Sequence, residues 1–199
     1  VIYPDFLKTL PPREIKSGFA EIIKHALISG NDNWKMLIQI TDLKTTDWQN
    51  IIPQSLQVKK EIVEKDALEK GPRKQLNFGH TIGHAIEAIS LENEADPLLH
   101  GEAIAIGMVC EAFISYKKCG LSKTELHQIA DFVFHHFGTK KLPSNWWPDI
   151  LQKMKQDKKN ERNIINCTLL TAIGTAIIDQ EIEPEMAEAS LIFYNRFSR

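Results

Sequence analysis

The sequence predicts a mainly α-helical chain with a short β-hairpin near its C-terminal end. Three observations predict it. Apolar residues recur at helical spacing in several segments, glycine and proline punctuate the boundaries between them, and β-branched residues cluster in one late stretch.

Pro11-Pro12 breaks the opening segment, and a helix is expected from about Arg13 to Ser29, with Ile15, Phe19, Ile22, Ile23, Ala26 and Leu27 at helical spacing. Gly30-Asn31-Asp32-Asn33 reads as its stop. A second helix is expected from Trp34 to Thr41, and a third from Gln54, just after Pro53, to Glu69. Gly71-Pro72 is the next break. Leu76 to Ser90 reads as a helix despite Gly79 and Gly83, which cost roughly 1 kcal/mol each in a helix interior. That cost is tolerated where backbone or ligand must come close. A polar loop follows from Leu91 to Leu99, and His100 then opens a long apolar helix to about Lys118, capped by Gly120. Ser122, with Glu125 three residues on, has the form of a capping box for a helix reaching Phe137. Pro143 to Pro148 is a turn or linker, and Asp149 to Gln156 a short helix. Ile164 to Ile178, interrupted at Gly174, is read as two short strands or a hairpin, and Pro184 precedes a last helix from Glu185 to Phe197.

The 199 residues suffice for a core of their own. With 24 basic and 26 acidic side chains, the formal charge of -2 argues against a nucleic-acid surface, which leans on a basic excess. Cys110, Cys119 and Cys167 have no short repeated spacing, so neither a disulfide scaffold nor a four-thiolate zinc knuckle is indicated. A reducing, cytoplasmic location is expected. No apolar run approaches the roughly 18 residues of a membrane span, and the N-terminus lacks a signal-peptide pattern. The opening Val1-Ile2-Tyr3-Pro4, without an initiator methionine, looks like a chain cut from something longer.

The strongest local motif is Gly79-His80-Thr81-Ile82-Gly83-His84-Ala85-Ile86-Glu87. On a helix His80 and His84 share one face, with Glu87 a turn further on. Two imidazoles beside small glycines suit a metal or an anion, while the plain alternative is a pair of satisfied core or helix-terminal histidines. His100-Gly101-Glu102, at the mouth of the long apolar helix, adds a third imidazole. Glu21 and Lys24 lie one turn apart on the first helix, where a half-exposed ion pair is the plainest reading. Lys59, Lys60, Arg73, Lys74 and Asn77, with Lys158 and Lys159 later, form a basic cluster. If the helix extends back to Arg73, then Arg73, Asn77, His80 and His84 form a ladder suited to an oxygen-rich anion. No G-x-G-x-x-G, P-loop or nucleophile-elbow pattern is present, so any chemistry is metal-centred or anion-centred.

Phe6-Leu7-Lys8-Thr9-Leu10-Pro11, Ser17-Gly18-Phe19-Ala20-Glu21-Ile22-Ile23-Lys24, the block from Gly71 through Arg73 and Leu76-Asn77-Phe78-Gly79-His80-Thr81-Ile82-Gly83-His84, His100-Gly101-Glu102-Ala103, and Asp157-Lys158-Lys159-Asn160 together resemble the C-terminal half of the 3-dehydroquinate synthase family, in the family's order. The resemblance implies a C-terminal helical metal- and substrate-binding domain over residues 1–199, with an N-terminal NAD-binding α/β domain outside this chain. It implies Glu21, His80 and His100 as ligands of Zn2+, or of Co2+ in its place, with His84 not a ligand. It implies that Lys24, Lys59, Arg73, Asn77 and His84 face the substrate, joined by Lys158 or Lys159. The implied reaction takes 3-deoxy-D-arabino-heptulosonate 7-phosphate to 3-dehydroquinate and phosphate in the shikimate route. It uses catalytic NAD+ for oxidation and re-reduction around phosphate elimination, then an intramolecular aldol closure. A homodimeric parent enzyme is expected, and the isolated chain is expected to be inactive. Two alternatives remain open: a related sugar-phosphate cyclase, and a helical domain with a purely structural metal.

Overall fold

The structure, a computed structural model, describes residues 3–156 and 165–197. After a 3-10 turn at Pro4–Thr9 come α1 (Pro12–Ile28), α2 (Asn31–Leu37) and α3 (Trp48–Lys65). A 3-10 turn at Pro72–Asn77 leads into α4 (His80–Asn93), then α5 (His100–Lys118), α6 (Lys123–Phe137) and α7 (Trp147–Gln156). Strands β1 (Ile165–Ala172) and β2 (Thr175–Ile182) precede α8 (Pro184–Phe197). The fold is thus mainly helical with a late hairpin, as the sequence predicts.

The centre of the molecule is α5. Its Ile104, Met108, Val109, Ala112 and Ile114 have no exposed surface, because α1, α4, α6, α8 and β1 all pack on it. A helix that is apolar all round is stable only when enclosed in this way. The hairpin is antiparallel, with Ile165 opposite Ile182 and Ala172 opposite Thr175. Its β1 side chains Ile165, Cys167, Leu169 and Leu170 enter the core. Gly174, at φ 90°, makes the turn, and its N–H donates to the Leu27 carbonyl at 2.8 Å, tying the hairpin tip to the end of α1.

Several boundaries differ from expectation. Gly30 alone forms the break after α1, and Asn31, Asp32 and Asn33 make the first turn of α2, where an acidic side chain complements the helix dipole. That helix stops at Leu37. The Ile40 and Thr41 carbonyls instead accept from the His136 and His135 rings at 3.0 and 2.9 Å. The third helix begins at Trp48 and takes Pro53 into its interior. Trp48 packs edge-on against Phe19, centroids 6.0 Å apart, and this contact outweighs the missing proline N–H. Its end comes at Lys65, since Asp66 accepts the backbone N–H groups of Lys70, Gly71 and Arg73 at 3.1, 2.7 and 3.2 Å. Such local side-chain bonding competes with helix continuation. Finally, α4 starts at His80 rather than Leu76, because Gly79 is left-handed at φ 80°. Arg73, Asn77, His80 and His84 therefore do not stand on one continuous helix.

Candidate metal centre and substrate cleft

Glu21 and Lys24 project from α1 as a pair that burial makes unusual. Lys24 is 3% exposed, and its Nζ donates to Glu21 Oε2 at 2.7 Å. Burial lowers the Lys24 pKa, a shift the Glu21 charge opposes. For Glu21, burial pushes upward but the Lys24 charge and hydrogen bond prevail, leaving the carboxyl below its ordinary range. The other oxygen, Glu21 Oε1, is buried without a hydrogen-bond partner. It lies 3.6 Å from His80 Nε2.

The tautomer of His80 follows from its neighbour. Nδ1 lies 3.1 Å from the Phe78 carbonyl, which can only accept, so the ring proton sits on Nδ1 and the Nε2 lone pair faces Glu21. Burial, then the Lys24 charge, push His80 down to about 3, so the imidazole is neutral. Two lone-pair-bearing atoms facing each other in this way call for a cation between them. His84 and His100 approach from the solvent side, and one ligating atom from each of His80, His84 and His100 lies within 4.8 Å of the others. His100 Nδ1 donates to Glu87 Oε2 at 3.0 Å. A carboxylate behind an imidazole orients the ring and makes its other nitrogen a better ligand. The donor set of imidazoles and one carboxylate fits a divalent transition metal.

Three devices hold these side chains in place. Glu111 of α5, with no exposed surface, accepts the Gly79 N–H at 2.6 Å and the Ile82 N–H at 3.2 Å. Its charge thus satisfies the start of α4 next to His80. Gly101 lets α1 and α5 meet. A Cβ there would fall onto the Ser17 carbonyl, and the Gly101 N–H donates to Ser17 Oγ at 3.0 Å. Arg13 forks onto both Glu102 oxygens, through Nε at 2.8 Å and Nη2 at 2.7 Å, and bonds Asp96 and the Pro97 carbonyl. The first turn of α5, which carries His100, is thereby fixed to α1.

The remaining predicted residues divide by position. Asn77 Nδ2 donates to Glu69 Oε1 at 3.0 Å, and both border a cavity of about 330 Å³ with Lys74, Thr81 and Asn166. Arg73 Nη1 donates to the Ala67 carbonyl at 2.9 Å, so its guanidinium folds over the loop after α3. Lys59, exposed on α3, is close enough for its charge to lower the pKa of Lys24. Lys158 and Lys159 lie outside the described residues.

Sequence reasoning passed over two acidic residues at this site. Glu69 takes a left-handed backbone, φ 56°, rare for a side chain of its size. Nothing in its spacing marks that conformation. Glu111 did leave a trace, as a carboxylate interrupting an apolar helix, where burial requires partners.

Residues 18–160 match the model of the 3-dehydroquinate synthase C-terminal family. A 3-dehydroquinate synthase of Parabacteroides distasonis is 41% identical over 192 residues, 96% of this chain and 54% of that protein. One of Geobacillus kaustophilus is 37% identical over 205 residues, 100% of this chain and 54% of the relative. The chain spans about half the length of the curated relatives it matches. A 2-epi-5-epi-valiolone synthase of Streptomyces hygroscopicus subsp. jinggangensis, solved with NAD+ and Zn2+ bound, superposes with a TM-score of 0.81 at 24% identity, covering 97% of this chain and 54% of that one. A 2-deoxy-scyllo-inosose synthase, complexed with carbaglucose-6-phosphate, NAD+ and Co2+, gives a TM-score of 0.76 at 22% identity over 92% and 52% of the two chains. At those identities the likeness is one of fold.

Proposed function

We propose, since the chain belongs to the 3-dehydroquinate synthase C-terminal family, that it is the metal- and substrate-binding half of a 3-dehydroquinate synthase. The observation that carries this reading is the unpartnered Glu21 Oε1 facing the unprotonated Nε2 of His80. In this reading Glu21, His80 and His100 hold Zn2+ or Co2+. His84, exposed one turn beyond His80, faces the substrate. The parent enzyme, a homodimer, converts 3-deoxy-D-arabino-heptulosonate 7-phosphate to 3-dehydroquinate and phosphate, with NAD+ held mainly by an N-terminal α/β domain outside this chain. It acts in the cytoplasm.

When bound, the divalent metal supplies positive charge that lowers the pKa of adjacent substrate hydroxyls and polarises the carbon from which hydride leaves. The chain's own groups do the rest. Lys24 keeps Glu21 ionised at neutral pH and presents an ammonium beside it. Lys59, Arg73 and a lysine of the Lys158-Lys159 pair supply cationic donors for phosphate and carboxylate. Asn77, oriented by Glu69, offers an amide to a substrate oxygen. His84 is placed to hydrogen-bond a substrate oxygen and to pass a proton near neutral pH. Elimination needs little more from the protein, because the departing phosphate can itself accept the acidified proton.

The exposure of His84 and His100 opposes a purely structural metal, which would be enclosed by four protein ligands. A related sugar-phosphate cyclase shares the fold, but the 41% identical relative is a 3-dehydroquinate synthase. The test is metal content by elemental analysis of freshly purified chain beside the His80→Ala variant. About one equivalent of zinc in the first and a small fraction of that in the second is expected. Equal zinc in both would overturn the assignment.

A further inference from the structure

We infer that Glu87 is a positioning residue for the proposed metal centre: by holding the His100 ring at Nδ1 it fixes the tautomer and rotamer in which that ring can ligate, and so sets how tightly the chain holds a divalent metal. The inference rests on the proposed role of His100 as a ligand. The imidazoles of the centre are held unequally. His80 is fixed by burial, its side chain 13% exposed, and by the Phe78 carbonyl at Nδ1. The His100 side chain is 46% exposed, so packing alone leaves its rotamer free. What restrains its ring is the 3.0 Å hydrogen bond from Nδ1 to Glu87 Oε2. Because a carboxylate oxygen accepts, the proton stays on Nδ1 and the lone pair is left on Nε2.

The frame behind this contact is rigid. Glu87 stands on α4 and His100 on the first turn of α5, and the two helices meet backbone to backbone. A Cβ at Gly107 would fall onto the Gly79 carbonyl oxygen, and one at Gly83 would come within 2.8 Å of the Ile104 side chain. The Glu87–His100 bond therefore ties the His100 ring to the same helix that carries His80. Charge points the same way. The Glu21 carboxylate is matched by the Lys24 ammonium at 2.7 Å, whereas Glu87 pairs with no lysine or arginine among the described residues. Glu87 thus brings the centre a negative charge that Lys24 does not offset, and such a charge behind an imidazole raises the ring's basicity toward a cation.

The test compares the 199-residue chain with its Glu87→Gln and Glu87→Ala variants, with zinc affinity read by competition against a chromophoric chelator. Glu87→Ala should weaken zinc binding about tenfold to a hundredfold. Glu87→Gln keeps an accepting oxygen but not the charge, and should lose about half as much on a logarithmic scale. The urea midpoint of the metal-free chains should stay at the wild-type value, since a partly exposed pair adds little to stability. In chelator, under mildly alkaline conditions, 15N spectra should place the His100 proton on Nδ1 in the wild type and show both tautomers in exchange in Glu87→Ala. Zinc affinity unchanged in Glu87→Ala, or a His100 proton still confined to Nδ1 in that variant, would overturn the inference. The tautomer measurement needs no metal, so its failure is distinct from failure of the metal assignment, which falls if His80→Ala keeps its zinc.

Discussion

A carboxylate with no exposed surface, Glu111, holds the end of α4 that carries His80. Burying a charge is costly unless hydrogen bonds replace its water, and the Gly79 and Ile82 N–H groups do so here. Glu111→Ala removes the acceptor and strands both donors, a loss of about 3 kcal/mol. Glu111→Gln retains one acceptor oxygen and should lose about half as much. Urea unfolding of the metal-free chain measures both, and equal stability of Glu111→Ala and wild type would remove the capping role. At this scale the sequence was readable wherever residues near one another share a face, as with His80 and His84. It was silent where partners lie far apart. Glu21 reaches His80 across 59 positions, and on α1 alone it reads as half of an ordinary ion pair with Lys24. Only the family resemblance put Glu21 with His80 and His100 in one set before any geometry was known.

Helices bring those distant residues together, and the contact between α1 and α5 has the least room to spare. Gly101 touches the Ser17 backbone so closely that a single methyl group must separate the two helices. Gly101→Ala therefore moves the first turn of α5, with His100, relative to Glu21 on α1. Overpacking of this kind costs about 1–3 kcal/mol, so zinc affinity should fall roughly tenfold or more while far-UV circular dichroism barely changes. Competition with a chromophoric chelator measures it, and unaltered affinity would show that the approach of α1 to α5 does not set the site. Element types were legible because helical periodicity and capping are local properties. The Ser122–Glu125 capping box is present as expected, Ser122 Oγ accepting from the Glu125 N–H at 3.1 Å. Boundaries were less legible, because tertiary contacts set them. Trp48 on Phe19 extends α3 back through Pro53, and the Asp66 carboxylate ends the same helix early.

For the whole molecule, the division of labour follows from which groups the chain contains. The side chains proposed to hold a metal lie on α1, α4 and α5, and the proposed anion-binding donors among the described residues lie on α1, α3 and the Pro72–Asn77 turn, whereas no dinucleotide-binding glycine motif occurs in the 199 residues. The late hairpin supports the proposed substrate side of that arrangement: Thr81 Oγ1 donates to the Asn166 carbonyl at 3.1 Å, Thr168 Oγ1 to the Lys74 carbonyl at 2.8 Å, and Lys74 pairs with Asp179 at 2.8 Å. These contacts anchor the Pro72–Asn77 turn from which Arg73 and Asn77 project. In the proposed reading, metal binding and substrate contact survive in the 199-residue chain, while the grip on NAD+ belongs mainly to the N-terminal domain outside it. The expected outcome is a chain that binds one zinc yet releases no phosphate from 3-deoxy-D-arabino-heptulosonate 7-phosphate when NAD+ is added, as read in a coupled phosphate assay. Turnover that rises with NAD+ and disappears in His80→Ala would show instead that these residues hold the nicotinamide cofactor themselves, and the proposed division between two domains would fall.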